Sequence, residues 1–264
     1  MCCWDKLKYA ELPEGSSFLH SYFNTAIDYS LPESYNKLYI RTGKGNGGLS
    51  TLSEALRYMQ AENVPEIREK AERALSVLRR VSAPKYLYRV YELKKSPEGY
   101  ELSGSGIVLR GSSADTMLRD CHCAAILICT LGFGFEAELR KAQVRSMSDA
   151  VILDACGSAL VEEGCDNAER DIAKTFPDSH LTDRFSPGYG DLSLTLQGEL
   201  SKAMNAEKIL GVHLNESLLF NPTKTVSAII GISKELQPAR IRGCDYCSMR
   251  ERCALRKRGG SCGK

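Results

Sequence analysis

The segment Arg184-Phe-Ser-Pro-Gly-Tyr-Gly-Asp191 puts an arginine, a proline-fixed bend, two glycines and a tyrosine into eight residues. Arg184 offers a planar fork of N–H donors suited to a carboxylate. Pro187 presets its own φ, and Gly188 lets backbone approach a ligand without a Cβ in the way. Tyr189 adds an aromatic face and a hydroxyl. Ser186 lies between the arginine and the bend. Such a loop can hold a ligand by a carboxylate, although Pro-Gly-Tyr-Gly by itself is also an ordinary turn signature.

A second group of reactive residues ends the chain. Cys244, Cys247, Cys253 and Cys262 follow the spacing C-x2-C-x5-C-x8-C. Four thiolates can bind zinc or an iron–sulfur cluster, which spacing alone does not separate, and free thiols are the third reading. The other cysteines are Cys2, Cys3 and five between Cys121 and Cys165. An odd total of 11, so clustered, does not read as a disulfide framework. Cys129, inside an apolar run, reads as a small buried hydrophobe.

The elements that position these groups are legible in outline. Gly43 to Gly48 is a glycine-rich linker without the Lys-Ser/Thr ending of a phosphate-binding loop. Leu52, Leu56 and Met59 predict a short helix, and Pro65 opens a second whose stripe is Ile67, Ala71, Leu75 and Leu78. Tyr86 to Tyr91 alternate as a strand, with residues 102–109 as its antiparallel partner across Ser96-Pro-Glu-Gly. Ser113 is placed to cap a short helix, and Ala124 to Leu131 reads as a buried strand. Residues 136–174 lack proline and predict helices broken near Gly157 and Gly164. The loop from Phe176 to Asp191 comes next, then a helix over 192–204 and strands over 211–216 and 225–233. Helices clustered between antiparallel strand pairs indicate an α+β fold. The organisation expected is an extension over 1–49, a principal domain over 50–238 and a basic Cys-rich tail over 239–264.

Composition narrows the function. With 264 residues, 43% hydrophobic and 26% charged, the chain can bury a substantial core. Neither a membrane-spanning apolar run nor a secretory leader is visible, which leads to the expectation of a cytoplasmic protein without a membrane partner. From Arg240 onward eight Lys or Arg face only Asp245 and Glu251, a surplus of six in a chain of net charge +2, so the remainder carries −4. An acidic body argues against nucleic acid as partner, though a basic metal-bound tail gripping phosphate is the alternative to weigh. The histidines, His20, His122, His180 and His213, have no metal-ligand spacing, and no Ser-His-Asp or Cys-His set is evident.

Arg-x-x-Pro-Gly-Tyr at 184–189, followed by Leu214-Asn-Glu-Ser217 and Asn221-Pro-Thr-Lys-Thr-Val-Ser227, resembles the activation domain of vitamin B12-dependent methionine synthase. The resemblance runs from about Ser50 to Leu236 and is strongest to small stand-alone members of that family. It implies a bent antiparallel sheet flanked by helices. It also implies an S-adenosylmethionine site in which Arg184 holds the methionyl carboxylate, Ser186 and Gly188 offer backbone contacts beside Pro187, and Tyr189 packs near the sulfonium. The family places an acid on the preceding helix; a gapless comparison puts Ser158 there, with Glu162 one turn later and Glu163 beside it. Asn215 stands where the family has threonine, and Ala228 where it has glycine.

The implied activity is reductive reactivation. An electron restores oxidised cobalt to Co(I), which takes the methyl group of S-adenosylmethionine, so the chain's task is alignment rather than proton transfer. Cobalamin would sit on the partner, a cobalamin-binding methionine synthase or other corrinoid protein, because no Asp-x-His-x-x-Gly motif is present. An electron donor such as flavodoxin or ferredoxin is implied, and that need for an electron favours an iron–sulfur cluster over zinc at the tail. The rival within this chemistry is a module that docks on a corrinoid domain without productive S-adenosylmethionine binding.

Overall fold

A computed structural model of the protein describes residues 37–42, 48–237, 251, 252 and 257. The four tail cysteines lie outside the described residues. The chain runs β1 (Leu38–Thr42), α1 (Gly48–Tyr58), α2 (Pro65–Val81), β2 (Lys85–Ser96), β3 (Gly99–Leu102), β4 (Ile107–Leu109), α3 (Ser112–Leu118) and β5 (Cys123–Thr130). It continues with α4 (Phe133–Arg145), α5 (Met147–Thr175), β6 (His180–Leu181), α6 (Leu196–Ala203), α7 (Ala206–Leu210), β7 (His213–Leu214), β8 (Phe220–Asn221) and β9 (Thr225–Ser233).

The main sheet has the order β4-β3-β2-β5-β9-β6, and β1 also pairs with β2. Every pairing is antiparallel. The twelve-residue β2 serves two neighbours in turn on one edge: its first half pairs with β1, Leu38 opposite Arg89, and its end pairs with β3, Leu93 opposite Leu102. This division is what bends the sheet. The central strand β5 is buried at all eight positions because both faces of the sheet are covered.

Alternation along the strands sorts the core into two layers. Tyr86, Tyr88, Leu127, Ala228 and Ile230 face α1, α2, α4 and α5, whose Leu56, Leu78, Phe135 and Leu160 complete that layer. Leu87, Ile126, Ile128 and Ile229 face the other way, onto Met117 of α3, Leu200 of α6 and Phe185. Cys123, Cys129, Cys156 and Cys165 are buried free thiols. Burial pushes the Cys156 thiol up to about 12, so it is inert at neutral pH. Among the described residues no helix is long and apolar enough to cross a membrane.

Several local expectations need correction. The partner of β2 is not 102–109: that stretch contains a turn, with Ser105 N donating to Leu102 O at 3.0 Å, and the hairpin partner is Gly99–Leu102. Ser113 does not cap α3; the N-cap is Gly111, and the capping carboxylate arrives from Asp191. The helix expected over 192–204 begins only at Leu196, and the strand over 211–216 shrinks to His213–Leu214, paired with β8 in a separate ribbon. Leu38–Thr42 forms a strand in a stretch where the sequence suggested no element.

The largest correction concerns Gly157 and Gly164, which do not break a helix. They lie inside the unbroken 29-residue α5, and the break falls at Ser146, whose hydroxyl accepts from Asp149 N at 3.3 Å. Both glycines make room. A Cβ at 157 would come within 2.2 Å of the Phe135 ring, and one at 164 within 2.6 Å of Cys129 Sγ. Gly157→Ala gains about 1 kcal/mol of helix propensity but overpacks a fully buried ring at a cost of about 1–3 kcal/mol. The clash is expected to win, and thermal melting should show a midpoint lowered by several degrees.

Candidate functional site

The Arg184 loop hangs from the sheet edge. Phe185 exchanges two backbone hydrogen bonds with Ile229 of β9, at 3.1 and 2.8 Å, and its side chain enters the second core layer. Alternation therefore turns Arg184 to the opposite side, toward α5. Beyond Ser186 the chain reverses: Tyr189 N donates to Ser186 O at 3.1 Å, with buried Pro187 and then Gly188 at φ +91° in the central positions. Proline followed by a glycine at positive φ is what a type II turn requires. Tyr189 is left 69% exposed.

Asp191 ties the far end of the loop to α3. Its carboxylate accepts from Ser112 N at 2.6 Å, Ser112 Oγ at 2.8 Å and Ser113 N at 2.8 Å. Hydrogen bonds from Ser113 and Ser112 hold its pKa far below the usual carboxylate range.

Arg184 crosses onto α5 and meets three acids. Nη2 donates to Glu162 Oε2 and Nη1 to Asp166 Oδ1, both at 2.9 Å, and Nη1 lies 3.0 Å from Glu169 Oε1. Positions 162, 166 and 169 follow i, i+4, i+7 spacing and so share one face of the helix. Burial of the guanidinium opposes its charge, but Glu169, Cys165, Glu162 and the Asp166 hydrogen bond outweigh that and raise its pKa. Of five guanidinium N–H groups three are engaged, leaving Nε–H and one on Nη2 without a partner among the described residues.

The three candidates for an acid on this helix are placed differently. Glu162 is against Arg184. Glu163, 6% exposed, points into the helical layer, where Arg79 donates to both its oxygens at 2.9 and 2.6 Å and Thr51 donates a further hydrogen bond. Ser158 accepts from Lys224 Nζ at 2.8 Å, and Lys224 also pairs with Asp154 at 3.0 Å. Glu216 and Ser217 sit at the tip of a turn held by Asn215, whose side chain accepts from Ser217 N and Leu219 N. Asp166 and Glu169 escaped the sequence reading, although their spacing from Glu162 was the available signal.

A cleft of about 800 Å³ opens beside this cluster. Its floor is Met59, Ile67, Val151, Ile152 and Ala155, and it ends at Ser158, one turn before Glu162. None of the loop residues lines it, so volume and chemistry do not coincide; the chemistry decides for the loop. Among the described residues no group of His, Cys, Asp and Glu has the arrangement of a metal site.

Fold and site together define an α+β domain that presents a caged arginine on a type II turn at the edge of a bent antiparallel sheet. A solved structure of the MetH reactivation domain bound to AdoHcy matches this chain with TM-score 0.63 over 89% of its length and 91% of that domain, at 12% identity. The chain thus has the activation-domain-like fold that its motifs implied, at an identity that establishes the fold alone. No protein-family model matches the sequence, and no curated protein does.

Proposed function

We propose that this protein is an S-adenosylmethionine-binding module for the reductive reactivation of a cobalamin-dependent methionine synthase or another corrinoid protein. The observation that carries the reading is Arg184, held in place by α5 with two N–H groups still open, on a loop whose sequence and fold context both resemble the reactivation domain. The open N–H groups suit the methionyl carboxylate. Ser186 and Gly188 supply backbone around the Pro187 bend, exposed Tyr189 closes over the sulfonium end, and Glu162 faces the ligand amine. Methyl transfer to the partner's reduced cobalt leaves S-adenosylhomocysteine and draws an unfavourable one-electron reduction forward. The contribution of this chain is orientation, since nothing in the reaction asks it to move a proton.

The tail at 239–264 is assigned to a metal on cysteine spacing: an iron–sulfur cluster or zinc bound by Cys244, Cys247, Cys253 and Cys262. A cluster there would pass on an electron received from a donor such as flavodoxin or ferredoxin. Residues 50–238 would carry the ligand site, in a cytoplasmic protein.

The test is reconstitution. A corrinoid protein in its Co(II) state, a low-potential reductant and S-adenosylmethionine are mixed anaerobically with and without this chain. The visible spectrum should convert to that of methylcobalamin only when the chain is present, with stoichiometric S-adenosylhomocysteine. Binding of S-adenosylmethionine without conversion by any corrinoid partner would contradict the reactivation role.

A further inference from the structure

The cleft and the Arg184 cage share one helix face. On α5 the cleft is walled by Val151, Ile152, Asp154, Ala155 and Ser158, and Arg184 meets Glu162, Asp166 and Glu169 farther along. Positions 151, 155, 158, 162, 166 and 169 repeat at spacings of three and four, which places them in one stripe. The arginine nitrogen against Glu162, the acid nearest the cleft, is Nη2, and one of its N–H groups has no partner among the described residues. At about 1.5 Å per residue, Ala155 lies roughly 10 Å along the axis from Glu162 and Val151 roughly 16 Å. In the reading just proposed, on which this inference rests, the ligand carboxylate sits at Arg184. About nine bonds separate its carbon from the adenine ring, roughly 11 Å when extended at about 1.2 Å per bond. A ligand that runs along α5 toward the start of the helix therefore delivers its base to the cleft.

The walls suit a flat, uncharged group. Met59 and Ile67 are partly buried against the helical core layer, Ile152 is 7% exposed, and Tyr58 presents a ring from the end of α1. Lys70 at the rim is paired with Asp149 at 2.8 Å, so it is not poised to hold an anion. Asp154 gives Oδ1 to Lys224 at 3.0 Å, while its Oδ2 has no partner among the described residues. That oxygen stands between the apolar floor and Arg184, where the hydroxyls of a ribose would donate to a carboxylate. An apolar floor with a few placed polar groups is the usual make-up of a small-molecule pocket.

We infer that the cleft between α1, α2 and α5 is the nucleoside subsite of the Arg184 site. The base rests on Met59, Ile67 and Ile152, and the ribose donates to Asp154, which Lys224 holds in place. The ligand is then gripped at both ends, and the reacting sulfonium is fixed by groups that touch neither sulfur nor methyl.

The experiment is calorimetric titration of the full-length protein with S-adenosylmethionine and with methylthioadenosine, which keeps the nucleoside and the sulfur but lacks the carboxylate and amine. Wild-type protein should bind both, methylthioadenosine the more weakly. Ala155→Trp fills the cleft from a half-buried position and should weaken both ligands about tenfold or more, since the base loses its apolar contact. Val151→Trp, at a position 57% exposed, is the second variant and should act the same way, with thermal melts showing which variants fold. Arg184→Ala should lose S-adenosylmethionine and leave methylthioadenosine unchanged. Folded cleft variants that bind S-adenosylmethionine as wild type does overturn the inference. So does methylthioadenosine that fails to bind the wild type, or that is lost with Arg184 and not with the cleft. Each of those outcomes leaves S-adenosylmethionine bound at Arg184, whereas failure of folded wild-type protein to bind it at all overturns the proposed site itself.

Discussion

Arg184→Ala is expected to weaken S-adenosylmethionine binding at least about a hundredfold. Two charge-assisted hydrogen bonds to the ligand carboxylate are lost, each worth about 1.5–3 kcal/mol, and each 1.4 kcal/mol is tenfold in affinity. The variant also removes the guanidinium charge that faces Glu162, Asp166 and Glu169, which adds repulsion toward the ligand carboxylate. Stability should change little. These acids are partly exposed, water can solvate them, and the exchange is worth about 1 kcal/mol or less. Titration paired with a thermal melt separates the effects: binding lost and midpoint nearly kept is the expected result. Loss of both in parallel would mean that Arg184 is a structural anchor.

Arg79→Ala should be the most destabilising single change among the polar residues considered. It strips Glu163 of both arginine hydrogen bonds at a position 6% exposed and leaves Thr51 as its one hydrogen-bond partner among the described residues. Breaking a buried pair from one side costs about 3–5 kcal/mol, because the remaining charge is buried without compensation. For a chain of this size the melting midpoint should fall by about 10 °C. The pH dependence gives the loss a signature. Burial raises the Glu163 pKa, but the hydrogen bonds from Arg79 and Thr51 and the Arg79 charge outweigh that and hold it below its ordinary value. In the wild type its contribution is therefore present above the unfolded-state pKa of about 4.3 and is lost as pH falls through the lower folded value. In the variant burial is opposed only by the Thr51 hydrogen bond and the Arg170 charge, so the folded pKa should rise, and protonation relieves the penalty. The stability gap should be widest near neutral pH and narrow as pH falls through about 5 to 4. A gap independent of pH would mean that lost packing of the Arg79 stem, not the stranded charge, is responsible.

Much of this was legible in the sequence, for identifiable reasons. The stripe Ala71, Leu75 and Leu78 and the alternation at Tyr86 to Tyr91 are periodic signals, and both recur as the buried faces of α2 and β2. The Arg184 loop was legible because Pro187 and Gly188 restrict the backbone locally, so the turn needs no distant information. Gly157 and Gly164 misled for the opposite reason: their role depends on Phe135 and Cys129, residues distant in sequence, and nothing nearby shows a helical glycine to be a packing notch rather than a stop. Asp191 as the cap of α3 is likewise a contact across 78 residues or more. The Asp166 and Glu169 partners of Arg184 were hidden because acids on a charged helix read as a solvated face until a cation is brought to them by the sheet.

The central claim is that a ligand is held at the Arg184 loop, and it is tested most directly by calorimetric titration of anaerobically purified full-length protein with S-adenosylmethionine. Saturable binding of one ligand per chain is the predicted result. A flat titration by protein that melts cooperatively would contradict the claim and leave the Pro187-Gly188 bend as a structural turn on a shared fold.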